Sequence, residues 1–446
     1  MNHMKFTLSI LSSLFLFVKM SQSQDSGLAE LSKNVGLELG SAFYYRSGWD
    51  ETQYEQHFLK NFNHLTPEGG MVWGEYGVSP DSGQINFWGG DKIIGFAHSN
   101  SIYVKAQHLV WHRYFEEEDP LLPDWLVTDD GEAQYSKEQL SILLKNFITE
   151  TVNHYTTTYP ETIKWWCVLN EAGSNTTGYI PNLWIDSLGP AHIDSSFAWA
   201  RAAAGPDIKL YYNEYFYHGA LYGGARIQSK IDFAYEVISG MISRGVPIDG
   251  MGFQSHIPVI GYPGKEIVAA DIKRFTDLGL EAYITELDVE LTVPITQEKL
   301  IQQAIVYKDI FEIALENPEI KLVCLWQFND AQSWLGEESE SCIMDSTYTP
   351  KPAYDSIQQV LHHADELLKN KEEHIQINDA FQINSSQISI NLKEPAILSI
   401  INLKGQIINR LSVSQGDKIP ISHLNSQLYL AELKAKNRIW RIKFRL

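Results

Sequence analysis

Eight short runs of apolar residues recur between about Leu37 and Leu361, and they limit what this chain of 446 residues can fold into more than any other feature. Amphipathic stretches with helical spacing separate several of the runs, such as Lys137–Tyr155, Ala225–Ser243 and Gln297–Leu315. Short apolar runs that alternate with helices are typical of parallel β/α units. Eight such units predict an α/β fold with a closed (β/α)8 TIM barrel, and about 330 residues suit a barrel with enlarged loops. The runs are Gly36–Phe43, Phe62–Thr66, Ile102–Val110, Ile163–Asn170, Ile208–Asn213, Gly250–His256, Glu281–Glu286 and Leu322–Phe328.

The first 23 residues have the pattern of a secretory signal peptide. Met1–Lys5 is short and basic, Phe6–Val18 is apolar, and small residues follow at positions 21–23. This pattern predicts cleavage near Ser23 or Gln24 and a protein that is secreted or held at the cell surface. An N-terminal membrane anchor is the alternative, although Phe6–Val18 is too short to span a bilayer comfortably. Because no other segment is long and apolar enough, the sequence predicts no stable membrane span.

The pattern changes near His362, close to the end of the predicted barrel domain of residues 25–365. Residues 366–374 are highly charged and are predicted to form a helical linker. From residue 375 onward short apolar runs alternate with polar residues, which predicts a small all-β sandwich domain over 375–446. Its predicted strands are Gln387–Leu392, Ala396–Leu403, Gln406–Ser412, Gln427–Ala435 and the basic run Arg438–Leu446.

Charge and cysteine content exclude several classes of protein. The formal net charge is −20, which argues against a nucleic-acid partner because such proteins need a positive surface. Three cysteines without short spacing exclude a disulfide scaffold and a zinc site as the basis of the fold. Cys324 and Cys342 could form one disulfide in an oxidising compartment, or could be buried free thiols. The acidic run Glu116–Asp119 is typical of a solvated loop, so no metal and no other cofactor is predicted.

Two glutamates stand at the ends of apolar runs. Glu171 follows the fourth run and Glu286 closes the seventh. In a (β/α)8 barrel the carboxyl ends of the strands meet at one face, and catalytic residues lie there. Two carboxyl groups that meet across one cleft can cleave a glycosidic bond, one as acid/base and the other as nucleophile or base. A single such glutamate could simply end its strand, but the pair predicts a catalytic site.

Residues suited to sugar binding follow several other predicted strands. Trp and Tyr rings offer flat apolar faces that can stack on pyranose rings, while Asn, Gln and His hydrogen-bond to hydroxyl groups. Taken singly most of them would be structural, but their shared position at strand ends predicts a cleft that binds a polysaccharide. They are His108, Trp111, His112, Asn213, Glu214, Tyr215, Gln254, Ser255, His256, Trp326, Asp330, Ser333 and Trp334.

Six motifs in chain order resemble those of glycoside hydrolase family 10, the family best known for endo-1,4-β-xylanases. Trp166–Ala172 is similar to the family's acid/base motif, which usually reads W-D-V-V-N-E-A, and Ile284–Val289 is similar to its nucleophile motif, I-T-E-L-D-V. The resemblance covers nearly the whole predicted barrel and implies a secreted hydrolase of β-1,4-linked polysaccharide, xylan above all. The other four motifs are Met251–His256, Tyr212–Tyr215, Trp326–Leu335 and Tyr348–Tyr354.

The resemblance also implies a retaining double displacement, in which Glu286 attacks the anomeric carbon and Glu171 serves as acid/base. The two carboxyl groups of retaining enzymes lie about 5–5.5 Å apart. His256 and Asp288 would orient Glu286 through hydrogen bonds, and Asn170 would hold the 2-hydroxyl of the sugar. The substrate-binding residues that the resemblance implies are Glu68, Gln107, Trp111, Asn170, Tyr215, Gln254, His256, Trp326 and Trp334.

The chain departs from the family pattern close to these residues. Gly69 and Val72 stand where the motif T-x-E-N-x-M-K-W has asparagine and lysine, which bind the sugar on the non-reducing side of the cleavage point. Gln107 and Cys167 together replace a potentially ionic His/Asp pair near the acid/base. We expect an active hydrolase with altered glycone-side specificity, in which the smaller side chains leave room for a different or decorated β-glycan. The alternatives are compensating contacts from other loops and a catalytically silent barrel that only binds glycan.

The C-terminal domain resembles the sorting domain of proteins exported by the type IX secretion system. Asn402–Gln406 is similar to the N-x-x-G-Q hairpin of that family, and the final basic strand fits it as well. The resemblance implies that secretion machinery recognises this domain. The alternative is a small carbohydrate-binding β-sandwich, which usually presents aromatic residues on one face, whereas this segment offers only Phe381, Tyr429, Trp440 and Phe444.

Overall fold

The structure, a computed structural model, describes residues 27–446 apart from several short segments. The predicted signal peptide and the acidic run Glu116–Asp119 lie outside the described residues, as do Val72 and His112. The segments left out within the range are 47–49, 72, 74–78, 82–83, 112–121, 123–124, 127–133, 177, 376–379, 384–386, 403–405, 425–427, 437 and 446.

A closed sheet of parallel strands forms the centre of the larger domain. In chain order the strands of this domain are β1 (Glu38–Phe43), β2 (His64–Pro67), β3 (Ser79–Asp81), β4 (Gln84–Asn86), β5 (Tyr103–Ala106), β6 (Val110–Trp111), β7 (Ile163–Asn170), β8 (Lys209–Glu214), β9 (Gly250–Phe253), β10 (Glu281–Leu287) and β11 (Ile320–Leu325). The sheet order is β5-β2-β1-β11-β10-β9-β8-β7-β6, and an additional β5–β7 pairing closes it. Both β5 and β6 pair with β7, so they count as two parts of one barrel strand. The described residues therefore form eight barrel strands, which confirms the predicted (β/α)8 fold. The strands β3 and β4 pair antiparallel in a separate two-stranded sheet that the sequence did not predict.

Helices between the strands cover the outside of the barrel. Local signals define their ends: Ser136 and Gln139 form a reciprocal capping box at the start of one helix, and Gly205, with φ +72°, ends another. The predicted helices at Lys137–Tyr155, Ala225–Ser243 and Gln297–Leu315 correspond to the fourth, seventh and ninth of those described. In chain order the helices are α1 (Leu28–Asn34), α2 (Glu51–Asn61), α3 (Trp88–Ser99), α4 (Lys137–Thr158), α5 (Leu183–Leu188), α6 (Ala191–Ala204), α7 (Gln228–Ser243), α8 (Lys265–Thr276), α9 (Gln297–Glu316) and α10 (Pro352–Ile375).

Large inward-facing side chains fill the barrel interior. Glycines on neighbouring strands make room for them: a Cβ atom at Gly40 would lie 2.3 Å from the ring of His64, and one at Gly250 would lie 2.3 Å from the ring of Tyr283. The interior is therefore tightly packed, and substrate meets the side chains at the carboxyl ends of the strands. The interior cluster consists of Trp165, Cys167, Tyr211, Tyr283, Leu322 and Cys324.

The C-terminal domain is built from antiparallel strands around a separate apolar core, as predicted. The strands are β12 (Phe381–Ile383), β13 (Gln387–Ile390), β14 (Ala396–Asn402), β15 (Ile407–Val413), β16 (Lys418–Pro420), β17 (Leu428–Ala435) and β18 (Arg438–Arg445). They form two sheets with the orders β12-β13-β16 and β15-β14-β17-β18. The three-residue strands β12 and β16 were not predicted. Helix α10 runs without interruption to Ile375, so residues 366–374, predicted as a helical linker, continue the last helix of the barrel.

The structure also bears on the possible disulfide and on membrane-spanning helices. Cys167, Cys324 and Cys342 are all buried free thiols, so the structure has no disulfide between Cys324 and Cys342. Within the described ranges, no helix combines the length and the apolar character that a bilayer span would require.

Candidate active site

Glu171 and Glu286 lie at the carboxyl ends of two barrel strands. Glu171 follows directly after β7 and is half-buried, whereas Glu286 lies near the end of β10 and is 4% exposed. The backbone of Glu171 has φ +52°, in the left-handed region that non-glycine residues rarely adopt. Its N–H donates to the carbonyl oxygen of Asn213 on β8 at 3.0 Å, which fixes this turn. Strained backbone of this kind concentrates at functional sites, so the turn supports a catalytic role for Glu171.

A network of amide side chains links the two carboxyl groups. Asn213 Nδ2 donates to Glu286 Oε1 at 2.6 Å and to Asn170 Oδ1 at 2.8 Å. Gln254 Nε2 donates to Glu171 Oε1 at 2.8 Å and lies 3.4 Å from the same oxygen of Asn170. The Nδ2 group of Asn170 is buried and has no protein partner among the described residues, so it can donate to a sugar hydroxyl. The network therefore connects the two carboxyl groups through the side chain of Asn170.

A histidine stands between the buried Glu286 and a second carboxylate. His256 Nδ1 lies 2.8 Å from Asp288 Oδ2, and its Nε2 lies 3.3 Å from Glu286 Oε2. Burial lowers the pKa of His256, but the Asp288 carboxylate and Glu286 outweigh burial and raise the pKa to about 10. Both ring nitrogens are then donors at neutral pH. Burial raises the pKa of Glu286, but the hydrogen bond and charge of His256 reverse this and leave the pKa below its ordinary value. Glu286 is therefore ionised at neutral pH.

Glu68 lies close to a glutamine that sequence reasoning missed. Gln327 Nε2 donates a short hydrogen bond to Glu68 Oε2, and Gln327 Oε1 accepts from the Tyr54 hydroxyl at 3.3 Å. An Arg46 guanidinium nitrogen lies 4.0 Å from Glu68 Oε1. Burial raises the pKa of Glu68 despite these partners. The sequence signal that could have indicated Gln327 is its place directly after Trp326, near the end of the eighth apolar run. In the structure its backbone has φ +69°.

The glycine next to Glu68 faces an aromatic ring. A Cβ atom at Gly69 would lie 3.2 Å from Cε2 of Tyr44, which is tighter than an ordinary contact. Tyr44 comes directly after β1, so the first loop of the barrel occupies part of the space that a side chain at position 69 would need. The sequence did not point to Tyr44.

Cys167 contacts His108 instead of Gln107, the residue expected beside it. His108 Nδ1 lies 3.1 Å from Cys167 Sγ, and the thiol donates to the carbonyl oxygen of Leu169 at 3.3 Å. Burial raises the pKa of Cys167 and lowers that of His108 to about 3, so this pair is uncharged at neutral pH. Gln107 is also buried, and its Oε1 has no partner among the described residues. The expected pairing of Gln107 with Cys167 is therefore wrong, because His108 occupies the position beside the thiol.

Aromatic rings line the same face of the barrel. The Trp334 ring lies edge-on to His256 at 5.2 Å, is 50% exposed, and its Nε1 donates to Asp288 Oδ2 at 2.8 Å. The half-buried Trp326 ring lies 6.2 Å from His256, also edge-on. Trp111 meets His108 edge-on at 4.9 Å. These rings lie around the carboxyl groups, where they can contact a sugar chain.

Glu214 supports the loop that carries Glu171, a role that the sequence did not indicate. Its Oε2 accepts from the Gly173 N–H at 3.1 Å, and its Oε1 pairs with the fully buried Lys230 at 2.9 Å. Burial raises the pKa of Glu214 to about 7. The Lys230 ammonium lies 3.1 Å from the ring centre of Tyr215, whose hydroxyl donates to Asn175 Oδ1 at 2.8 Å. Tyr215 is thus held between helix α7, which carries Lys230, and the loop after β7, which carries Asn175.

The comparison with known protein families agrees with this geometry. The family model described as Glycosyl hydrolase family 10 matches residues 27–360. This chain belongs to glycosyl hydrolase family 10. It is therefore a glycoside hydrolase, and the match spans the entire barrel on which the two glutamates lie. In the described part of the chain, no group of three or more His, Cys, Asp or Glu side chains is arranged to hold a metal ion.

Proteins named as endo-1,4-β-xylanases and solved structures of xylanases are similar to this family-10 hydrolase. It is 33% identical to endo-1,4-β-xylanase B of Thermotoga neapolitana over 346 residues, which cover 76% of this chain and 92% of that protein. It is 30% identical to endo-1,4-β-xylanase 1 of Humicola insolens, over 80% of this chain and 78% of that protein. The crystal structure of xylanase 10B from Thermotoga petrophila RKU-1 in complex with xylobiose is 32% identical, with a TM-score of 0.68, over 77% of this chain and 100% of that one.

The second domain of the family-10 hydrolase has a match of its own. Residues 383–444 match the family model described as Secretion system C-terminal sorting domain. The resemblance to sorting domains is thereby confirmed, and the alternative of a carbohydrate-binding sandwich is not favoured. The protein is secreted or located at the cell surface.

Proposed function

We propose that this hydrolase is a retaining endo-1,4-β-xylanase with altered glycone-side specificity, in which Glu286 is the nucleophile and Glu171 the acid/base. The observation that carries the proposal is the amide network in which Asn213 and Gln254 tie the two carboxyl groups to Asn170. Relatives that are about a third identical are endo-1,4-β-xylanases, and one related structure contains xylobiose. Both observations support a β-1,4-xylan backbone as the substrate.

In the first step, the Glu286 carboxylate attacks the anomeric carbon of the sugar on the non-reducing side of the scissile bond. The bond to the leaving oxygen breaks, and Glu171 transfers its proton to that oxygen. His256 supports this step because its positive charge keeps Glu286 ionised, and its hydrogen bond to Oε2 orients the carboxylate. The product is a glycosyl ester on Glu286.

In the second step, the Glu171 carboxylate removes a proton from water, and the water oxygen attacks the same anomeric carbon. The ester bond to Glu286 breaks, the sugar leaves with its original configuration, and Glu171 is protonated again. The free Nδ2 donor of Asn170 is suited to hold the 2-hydroxyl through both steps. Gln254 keeps Glu171 in reach of the leaving oxygen and then of the water.

The altered specificity follows from the surroundings of Glu68. Gly69 offers no amide to the sugar, and the Tyr44 ring adjoins that position. Arg46 and Gln327 bring other polar groups to Glu68 from the first and eighth strand ends. The glycone side therefore keeps hydrogen-bonding groups but presents them from different positions, together with an aromatic ring. This arrangement favours a substituted or differently linked xylan chain over a plain linear one.

Product analysis on a panel of substrates tests the proposal. The panel contains linear β-1,4-xylan, arabinosyl- and acetyl-substituted xylan, mixed-linkage xylan and aryl β-glycosides. We expect rapid release of short oligosaccharides whose newly formed reducing ends are β-anomers by NMR, with a higher kcat/KM on a substituted or mixed-linkage polymer than on linear xylan. Initial α-anomers would contradict the retaining mechanism, and ordinary preference for linear xylan would contradict the specificity.

An asparagine at position 69 should raise kcat/KM on linear xylan only when the Tyr44 side chain is also truncated. In Gly69→Asn alone the new Cβ meets the Tyr44 ring at 3.2 Å, so the amide is displaced and kcat/KM on linear xylan changes little. In Gly69→Asn/Tyr44→Ala the amide can reach the sugar, and one regained hydrogen bond of about 1–1.5 kcal/mol predicts an increase of about tenfold. Tyr44→Ala alone is the control. An equal gain from Gly69→Asn alone would mean that Tyr44 does not restrict the site.

We further propose that secretion machinery recognises the C-terminal domain and that hydrolysis does not depend on it. Helix α10 ends at Ile375, so a chain that stops there keeps every element of the barrel. In the natural host, deletion of residues 376–446 should keep the enzyme from reaching the cell surface or the medium, while kcat/KM on soluble xylan stays unchanged. Normal export combined with weaker binding to insoluble polysaccharide would instead identify a binding module.

A further inference from the structure

One exposed ring of the cleft also reaches the buried groups behind the nucleophile. The Trp334 side chain is 50% exposed, yet its Nε1–H donates to the Oδ2 atom of the buried Asp288 at 2.8 Å. The same oxygen accepts from His256 Nδ1 at 2.8 Å. The other carboxylate oxygen of Asp288 is buried and has no partner among the described residues. In the described part of the chain, Trp334 and His256 therefore provide the side-chain hydrogen bonds that this carboxylate receives.

These contacts form a chain of three hydrogen bonds from the Trp334 ring to the nucleophile. The first two meet at Asp288 Oδ2, and the third joins His256 Nε2 to Glu286 Oε2 at 3.3 Å. Hydrogen bonds in such a network polarise one another, so a change at one of them alters its neighbours. Because Trp334 and His256 share one acceptor oxygen, loss of the Trp334 donor would leave more negative charge for His256. The hold of His256 on Glu286 therefore depends on the Trp334 ring.

The loop that carries Trp334 is attached to the strand of the nucleophile at a second point. Ser333 Oγ lies 2.7 Å from Ser341 Oγ, within hydrogen-bond distance. The carbonyl oxygen of Ser341 accepts from the N–H of Val289 at 3.2 Å, and Val289 directly follows Asp288. The loop after β11 thus contacts two consecutive residues beyond the end of β10, one through a side chain and one through the backbone. These contacts fix the position of Trp334 relative to Asp288.

We propose that Trp334 is a positioning residue for the nucleophile: through Asp288 and His256 it holds the Glu286 carboxylate in the orientation that attack requires. This role is additional to the sugar contact that the family resemblance implies for the ring. A sugar that binds against the exposed ring restricts the same side chain that fixes Asp288, so substrate binding and the orientation of Glu286 are coupled. The inference rests on the proposed role of Glu286 as nucleophile.

A double-mutant cycle tests whether Trp334 acts through Asp288. Trp334→Phe removes the Nε1–H and keeps an aromatic ring in the cleft, while Asp288→Ala removes the acceptor. The measured constant is kcat/KM for a dinitrophenyl β-xylobioside, whose leaving group needs no proton from Glu171, so that it reports nucleophilic attack. Trp326→Phe is the matched control, because it makes the same change in a ring that contacts His256 without a hydrogen bond to Asp288. Thermal unfolding checks that each variant is folded.

When Asp288 is present, Trp334→Phe should lower kcat/KM by about tenfold, the effect expected for one hydrogen bond to a charged group. In the Asp288→Ala background the same substitution should have a much smaller effect, because the group through which Trp334 acts is gone. Trp326→Phe should have equal effects in both backgrounds. Equal losses from Trp334→Phe in both backgrounds would show that the ring only contacts sugar, and they would overturn the inference. No loss in the wild-type background would overturn it as well.

An NMR measurement needs only the Trp334→Phe variant and gives a result independent of Asp288→Ala. The Nδ1 proton of His256 is bound to the Asp288 carboxylate, so its resonance reports the strength of that hydrogen bond. Loss of the competing donor should move the resonance downfield, whereas Trp326→Phe should leave it in place. An unchanged resonance in folded Trp334→Phe would overturn the inference whatever residue is the nucleophile. A wild-type enzyme without hydrolytic activity would instead contradict the proposed function.

Discussion

Replacing Glu286 with glutamine is expected to lower kcat/KM for β-1,4-xylan by about 10⁵-fold, because an amide cannot attack the anomeric carbon or form the glycosyl ester. The substitution is nearly isosteric, so Asn213 Nδ2 can still donate to the side-chain oxygen. Substrate binding should therefore change far less than turnover. Steady-state kinetics on xylan and binding of xylo-oligosaccharides to the folded variant measure the two effects separately.

The same variant offers a second measurement on His256. The Asp288 and Glu286 carboxylates together raise the pKa of His256 to about 10 against the effect of burial. Removing the charge of Glu286 takes away one of these two partners, so the pKa of His256 should fall in Glu286→Gln. An NMR titration of the ring protons would detect the change. An unaltered His256 titration would show that the two side chains are not coupled in solution.

A matched control for Glu286→Gln lies on the same strand. Glu281 begins β10 at the opposite end of the barrel, where it accepts from the Tyr283 hydroxyl at 2.6 Å and pairs with Lys209 at 3.4 Å. Glu281→Gln makes the same chemical change away from the cleft and should keep nearly full activity. Equal losses in both variants would point to a damaged strand instead of a missing nucleophile. Retained hydrolysis in Glu286→Gln would contradict the mechanism.

The barrel was predictable from the alternation of apolar runs with amphipathic helices, and the two glutamates from their positions at the ends of such runs. Each barrel strand is an apolar run bounded by helices, and both Glu171 and Glu286 stand where such a run ends. The strands β3, β4, β12 and β16 were missed because three residues are too few to show a period of two. The contact of Gln327 with Glu68 joins residues 259 positions apart, so it exists only once the barrel has closed.

The residues around the glutamates were harder to predict because small backbone turns decide which side chain meets which. The family motif predicted Gln107 beside Cys167, but in the structure the next residue, His108, contacts the thiol. Burial raises the pKa of Cys167 and lowers that of His108 to about 3, and the burial of both side chains is known only once the barrel is assembled. Sequence alone therefore indicated the reaction, while the charge balance that supports it required the assembled interior.

Replacing Glu171 with alanine should separate the two halves of the reaction. Xylan has a poor leaving group that needs a proton, so its hydrolysis should fall by about 10³–10⁴-fold. A dinitrophenyl glycoside needs no such proton, so the glycosyl ester on Glu286 should still form quickly and then accumulate, because no base activates water. A burst of dinitrophenol followed by a slow steady state would reveal this. Glu161→Ala, at the exposed start of the same segment, is the matched control and should behave as the wild type.

Azide then tests the position of the missing carboxylate. Removal of the Glu171 side chain opens space beside the ester, and azide is a nucleophile that needs no base. Added azide should restore steady-state turnover of the dinitrophenyl glycoside in Glu171→Ala and yield the β-glycosyl azide, since two inversions retain the configuration. The wild type, whose intact carboxylate occupies that space and repels anions, should form none. An α-glycosyl azide, or no rescue in a variant that still shows the burst, would contradict the assignment of Glu171 as the base on the face opposite Glu286.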